Sequence, residues 1–579
     1  MLGRLFGALG KRMRSGAGED PAKLATRWVE QGIAHNGTGE LAEAAICFER
    51  ALALDPGSIP AMHGRAAMHH LAGDHAEAIS MCEELLARAP RHVDAWVTRA
   101  AAARSLGDLA GALQSFRMAA ELQLRPDLIS CVGGILFQQG HIELALAEME
   151  RAIAIDPEAD AIQSNRLFIL NHDVRLSRAQ IAEQHFAWGR SLEARTAAAR
   201  ASYCNDLDRD RDPDRRLRIG YVSADLRTHS VAFFLAPVLE NHDRRDFEVT
   251  CYDNHAGPGD GFSQRLMSWS DHWVKVDSLD DAALARRIRD DRIDILVDLS
   301  GHTGGNRLPV FAIKPAPVSA TWFGYMNTTG LATIDYRLSD AGLCPPGSEQ
   351  YYSESIWRLP STAAWSAAPD APEPGPPPAL ARGHLRFASF NNWAKVSDEV
   401  IDVWARILLR VPTAELLVVA AGGDTPNGRA EVVRKFALRE IDVQRIVVEG
   451  FKPLDKFLAL LATADIALDP FPYNGGTTTL HTLWMAVPVI SMSSGHEIGR
   501  VSAGLLGSVG LADLCTGSAE QYVEAASGLA ADPERLAVLR SELRARMRAG
   551  PSMNGGEMAS NLEKAYRAMW HNHLKVSSR

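Results

Sequence analysis

No two of the seven cysteines form a C-x-x-C pair: Cys47, Cys82, Cys131, Cys204, Cys251, Cys344 and Cys515 are scattered and odd in number. A disulfide framework and a thiolate zinc site are both excluded, and a reducing, cytoplasmic setting is expected. Apolar runs fall short of the ~20 residues that cross a bilayer, and the apolar stretch in MLGRLFGALGKRMRSGAG is too short for a secretory signal. No membrane span is expected, and residues 1–20 read as a disordered or frayed terminus. A basic excess is lacking as well, with 61 Lys and Arg against 71 Asp and Glu and a formal net charge of −10. That disfavours a polyanion binder, so nucleic acid is not an expected partner. Aromatic residues are sparse at 7%, but 46% hydrophobic and 23% charged residues are ordinary for a folded soluble chain. At 579 residues the chain is too long for one core and should divide into about two to four domains.

What the sequence does have is internal repetition. GELAEAAICFERALALDP starts at Gly39, GDHAEAISMCEELLARAP at Gly73, GDLAGALQSFRMAAELQL at Gly107 and GHIELALAEMERAIAIDP at Gly140, at intervals of 34, 34 and 33 residues. Each glycine permits a tight turn between antiparallel helices, and the alanine five positions on (Ala44, Ala78, Ala112, Ala145) allows close helix contact. Pro56, Pro90 and Pro157 end the second helix of their repeats, whereas Leu124 holds that slot in the third. Period and residue types resemble the tetratricopeptide family. An array over residues 21–200 is expected, offering a groove to an extended peptide or a partner helix, or serving as a packing scaffold. Residues 201–216 read as a charged linker; Asp206-Leu207-Asp208 within it has the D-x-D spacing of some metal-binding sugar transferases, but alternation with arginines marks solvated chain.

From Leu217 the texture changes to β-branched runs alternating with amphipathic stretches. Strands are expected at 217–225, 247–254, 294–302 and 317–325. A Pro-rich linker over 366–383 precedes a second series at 385–391, 414–420, 445–451, 466–471 and 488–492. This alternation predicts two doubly wound α/β lobes, 217–365 and 384–575, with a ligand cleft beyond the carboxyl ends of their strands.

YNGGTTTLHTLW, residues 473–484, occupies such a strand-to-helix turn. Free amides at a helix start bind phosphate and threonine hydroxyls add neutral donors, so a diphosphate is the natural guest of Gly475, Gly476, Thr477 and Thr478. A lone G-G-T would by default be only a turn and a cap; its place at a strand end shifts the balance. Without a G-K-[ST] loop or spaced dinucleotide glycines, neither an ATPase nor an oxidoreductase is indicated. FASFNNWAKVS puts Asn391, Asn392 and Lys395 in another strand-to-helix loop, where a lysine neutralises charge on a departing diphosphate.

Together with the repeats, GYVSADLRTHSVAFF, DILVDLSGHTGGNRLPVFAIKPAPVSATWFGYMNTTGLATIDYRLSD, FNNWAKVS and DPFPYNGGTTTLHTLWMAVPVISM resemble the O-GlcNAc transferase family, including its SPINDLY-type O-fucosyltransferase branch, over roughly Gly39 to Leu511. The resemblance implies an all-α tetratricopeptide solenoid followed by a two-lobed GT-B fold. It further implies a sugar nucleotide such as UDP-GlcNAc as co-substrate, no metal or other cofactor, and inverting transfer to Ser or Thr of proteins. On matching positions it assigns His229 to the acceptor side as a possible base and Lys395 to the donor diphosphate. Thr477 and Thr478 become the phosphate-binding pair, with Asn392 beside the donor. His302, Thr303, Gly304 and Tyr325 are expected on the acceptor side, each histidine having a purely structural alternative. Gly476 stands where the family usually has His, and His481 where it has a ribose-binding acid, which leaves UDP and GDP both open as the nucleotide. A tetratricopeptide adaptor with a decayed transferase half is the alternative of another class.

Overall fold

The computed structural model describes residues 20–200 and 212–577. The start expected to fray therefore lies outside the described residues except for Asp20, which caps the first helix through Ala22 N–H, and Asp206-Leu207-Asp208 lies outside them too. Among the described residues, no helix is long and apolar enough to cross a membrane.

The chain divides into two compact units, Met1–Ile135 and Leu136–Arg579, so the division falls inside the helix Pro126–Gln138 of the repeat array. In the first unit the helices Leu41–Leu54, His75–Arg88 and Leu109–Leu122 each follow a partner helix, Pro21–Gly37, Ile59–Leu71 and Val93–Ser105. Ala44, Ala78 and Ala112 are fully buried at the helix contacts, and the turn glycines Gly39, Gly73 and Gly107 take φ of 79°, 89° and 78°, a region side chains disfavour. Leu124, in the slot without proline, is 66% exposed.

In the second unit, Ile142–Ile155, Asp160–Leu170 and Arg178–Thr196 finish the helical region. The last of these lies backbone to backbone with the loop after Trp322. A Cβ on Gly189 would stand 1.8 Å from Gly330 O, and one on Gly330 2.1 Å from His185 O.

Two parallel sheets follow. The first comprises β1 Leu217–Ser223, β2 Phe247–Asp253, β3 His272–Lys275, β4 Ile295–Asp298, β5 Val318–Trp322, β6 Tyr336–Asp340 and β7 Ser355–Leu359, in the order β3-β2-β1-β4-β5-β6-β7. The second comprises β8 Arg386–Ser389, β9 Glu415–Val419, β10 Ile446–Glu449, β11 Ile466–Leu468, β12 Val489–Met492 and β13 Cys515–Thr516, in the order β10-β9-β8-β11-β12-β13. Register is set by buried β-branched and leucine pairs such as Ile219 with Ile295 and Leu468 with Ile490. Both orders reverse direction beside the first strand of the sheet, which opens the crevice where ligands bind.

All nine expected strands are present, each trimmed at its ends. The sequence pattern missed β3, β6, β7 and β13: β3 and β7 are partly exposed edge strands with mixed polarity, β13 has two residues, and β6 carries the buried polar run Arg337, Ser339. The Pro-rich segment is pinned to the second lobe, with Arg544 Nη2 donating to Pro372 O at 2.7 Å and Ala379 N–H to Asp465 at 2.9 Å. The helix Gly555–Ser577 packs Leu562, Tyr566, Met569 and Trp570 into the core of the first lobe.

Candidate active site

Loops from the carboxyl ends of β1, β4, β5 and β6 face those from β8, β11 and β12 across a cavity of about 680 Å³. His229, Thr303, Lys395, Gly476, Thr477 and Thr478 line it together, although they come from both lobes.

The YNGG turn delivers a helix N-terminus to this cavity. Gly476 caps Thr477–Trp484 without a side-chain hydrogen bond, and the first helical N–H groups, of Thr477 and Thr478, have no partner among the described residues. Unspent donors and the positive end of the helix thus face the space where an anion would sit. Gly475 behaves differently from expectation. Its N–H donates to Asp469 Oδ1 at 2.7 Å, and a Cβ there would come 2.6 Å from Thr479 Oγ1 and 2.9 Å from Asn391 Oδ1. Close packing therefore requires this glycine, and its amide is not offered to a phosphate.

Lys395 lies in the short turn Trp393–Lys395 after β8. Its Nζ donates to Asn474 O at 2.9 Å and sits 4.2 Å from the centre of the Tyr473 ring. Burial pulls its ammonium down to about 8, with the carboxylate of Asp469 opposing the shift. Tyr473 is itself sandwiched, its other neighbour being the ring of His172 at 4.6 Å and 22°. His172 is neutral, burial and the charge of Lys395 lowering it to about 3.

His229 ends the loop after β1 and caps the helix Ser230–Asn241. Its half-buried ring has Nδ1 3.3 Å from Val231 N and 3.5 Å from Asp225 Oδ1. Burial lowers its pKa while Asp225 pulls the other way, so the ring is a neutral imidazole at pH 7. Nδ1 accepts the Val231 N–H, so in the neutral ring the proton is on Nε2.

Several residues expected here stand elsewhere. His302 is fully buried and both ring nitrogens are engaged, Nδ1 with Ser164 Oγ at 2.7 Å and Nε2 with Thr329 O at 2.9 Å. The structural alternative describes it, and the acceptor-side role is corrected. Tyr325 is likewise withdrawn, its buried hydroxyl bonded to Asn171 Nδ2 at 2.6 Å and His185 Nε2 at 2.8 Å. Gly304 is exposed outside the cavity lining. Asn392 is exposed too and caps its own turn through Ala394 N–H; the buried neighbour Asn391 donates to Asp469 instead. His481 is 4% exposed, edge-on to Trp365 and Phe233 at 5.1 and 5.4 Å, with Nδ1 unpartnered, and does not line the cavity. Its ring is neutral, burial lowering it to about 4, and its placement does not support a ribose contact.

Sequence reading missed Asp225, Tyr473, Arg500 and Asp469. Arg500 lines the cavity and its guanidinium donates to Leu343 O at 3.0 Å and Gly495 O at 2.7 Å, with no carboxylate partner among the described residues. Only the recurrence of polar residues just past strand ends could have flagged Asp225 and Asp469.

Comparison with known proteins agrees with this architecture. The family model described as Glycosyl transferase family 41 matches residues 159–364 and 379–562, and one described as Tetratricopeptide repeat matches 64–127. A Petunia hybrida protein named "Probable UDP-N-acetylglucosamine–peptide N-acetylglucosaminyltransferase SPINDLY" is 36% identical over 427 residues, 72% of this chain and 45% of that protein. An Arabidopsis thaliana protein with the same enzyme name and the designation SEC is 31% identical over 370 residues, 62% of this chain and 38% of that one. The chain thus spans less than half the length of these relatives. The solved structure of a lysine-to-methionine mutant of the Thermobaculum terrenum O-GlcNAc transferase superposes with a TM-score of 0.80 at 31% identity, covering 96% of this chain and 99% of that one.

Proposed function

The chain belongs to glycosyl transferase family 41 and has a two-lobed GT-B fold behind its repeats, and from that membership we propose that it transfers a sugar from a nucleotide donor to Ser or Thr hydroxyls of proteins. The donor we assign is UDP-GlcNAc, after the enzyme names its relatives carry. The observation that carries this reading is the convergence, in one cavity, of Lys395, the unpartnered first turn at Thr477 and Thr478, and His229. An adaptor with a decayed transferase half would have no reason to keep those groups converged.

In the proposed reaction the diphosphate lies against the N-terminus of Thr477–Trp484 and beside Lys395. The acceptor hydroxyl attacks the anomeric carbon from the opposite face, the bond to the diphosphate oxygen breaks, and configuration inverts. The hydroxyl proton passes to the His229 and Asp225 pair, the basic groups on this wall of the cavity. Lys395 and the helix amides receive the charge that develops on the leaving group, a task that fixed donors in a partly dry site perform well. Acceptor proteins are recruited along the repeats, and scattered cysteines support a cytoplasmic setting.

Calorimetric titration with UDP and with GDP, both with EDTA present, tests the reading. UDP binding undiminished by EDTA is the expected result. A GDP preference would move the donor to a GDP-hexose, and binding of neither would overturn the transferase assignment.

A further inference from the structure

Beneath the YNGG turn, Asp469 sits just past β11, 1% exposed and ringed by donors from four places in the chain. Oδ1 accepts from Gly475 N–H at 2.7 Å and Asn391 Nδ2 at 3.1 Å, and Oδ2 from the hydroxyls of Ser491 and Ser502, both at 2.7 Å. Its backbone is fixed as well, N–H to Ile490 O and carbonyl to the Tyr522 hydroxyl, each at 2.9 Å. The side chain therefore ties the ends of β8, β11 and β12, the glycine turn and the helix Val501–Ser508 to one point.

We propose that Asp469 is the positioning residue of the donor site: its buried carboxylate anchors the YNGG turn and serves as counter-charge to Lys395. The inference rests on the transferase reading for its purpose, but its physical content concerns two side chains of the ligand-free protein. Burial raises the Asp469 carboxyl above its ordinary value, and the Ser502 and Ser491 hydroxyls, the Gly475 amide and the charge of Lys395 oppose that shift. Among charged neighbours, Asp469 is the one whose field acts on Lys395 in favour of the ammonium. The other groups facing Lys395 are the neutral ring of His172, the Tyr473 ring and Asn474 O. Further off, Asp398, Glu399 and Lys435 line a neighbouring cavity, and Asp225, His229 and Arg500 line the cavity already described.

A carboxylate in direct contact with the diphosphate would repel it. Behind the glycine backbone of the turn, it holds the lysine charged while the lysine and the helix amides meet the leaving group. Gly475 is what allows this stacking, because any side chain there would push the turn off the carboxylate.

The test reads Lys395 directly. Reactivity of its amine toward an acylating reagent, followed by mass spectrometry across pH in the ligand-free protein, gives its titration midpoint, near 8 in the native chain. In Asp469→Asn the midpoint should fall by about one pH unit or more, the usual reach of a lost opposite charge; an unchanged or higher midpoint would overturn the proposal. If Asp469→Asn does not fold, Lys395→Met reports the same coupling from the other side. Left without its cation, Asp469 should make the melting-temperature deficit of that variant grow as pH rises from 4 to 7, roughly the window in which a buried carboxyl ionises; a pH-independent deficit would sink the idea. Neither readout uses a nucleotide, so failure of the donor reading, seen as no UDP or GDP binding by the native chain, is separate from failure here.

Discussion

Arg337 of β6 and Glu497 of the loop after β12 form an ion pair between the lobes, Nη2 to Oε1 at 2.7 Å, with side chains 1% and 2% exposed. The Tyr352 hydroxyl donates to the other carboxylate oxygen at 2.7 Å, and Arg337 also donates to the carbonyls of Tyr325 and Asn327. Desolvating such a pair costs about as much as the attraction returns, so its main effect is geometric. It fixes the loop that carries Arg500, and through Arg500 the wall of the cavity.

Glu497→Leu should therefore destabilise the second unit by about 3–5 kcal/mol, because it strands a buried guanidinium. The double variant Arg337→Met, Glu497→Leu should recover most of that in denaturant unfolding. Its UDP affinity should nonetheless stay below that of the native chain, since the loop is no longer held.

Gly475→Ala and Gly476→Ala should differ sharply. The first places a methyl 2.6 Å from Thr479 Oγ1, whereas the second meets nothing nearer than Val501 Cγ1 at 3.6 Å. A loss of about 1–3 kcal/mol is expected for Gly475→Ala, and less than about 0.5 kcal/mol for Gly476→Ala, measured by thermal and denaturant unfolding.

The rate should fall on the alkaline side near pH 8, where Lys395 loses its proton. Because burial lowers the lysine below its ordinary value of about 10.4, its charged form is the one the fold disfavours. Its contribution to stability accordingly rises between about pH 8 and 10, opposite in direction to the rate. A kcat/KM profile and a pH series of melting temperatures, run side by side, check both signs. Lys395→Ala should cut kcat by about 100-fold or more.

His302→Ala should behave as a stability variant. Two buried hydrogen bonds lose their partner, at a cost of about 1–3 kcal/mol, while nucleotide affinity measured below the melting transition stays native.

The sequence carried its repeats openly because one turn glycine and one contact alanine recur at fixed spacing, and the buried strands because their runs are short and β-branched. It carried the cavity only in part. Lys395, Thr477 and Thr478 were legible since a strand end followed by a helix start dictates where they point. His302 and Tyr325 were misread because a loop's sequence does not say which side of it faces Ser164 or Asn171, residues more than 130 positions away. Asp469 was passed over for the same reason: only one of its four donors, Gly475, is near it in sequence, the others lying 22, 33 and 78 positions off.

The glycine-to-glycine contact between the helix Arg178–Thr196 and the loop at Gly330 bears on how this molecule can be rebuilt. Arrays of this kind gain and lose whole repeats, each gain lengthening a recognition surface. Here such exchange is confined to the segment before Leu136, because the helices beyond it are cast into the second unit with no room for even a methyl group at the seam. Repeats can be grafted upstream without touching this seam; a graft at the end of the array would unseat the loop network of the first lobe.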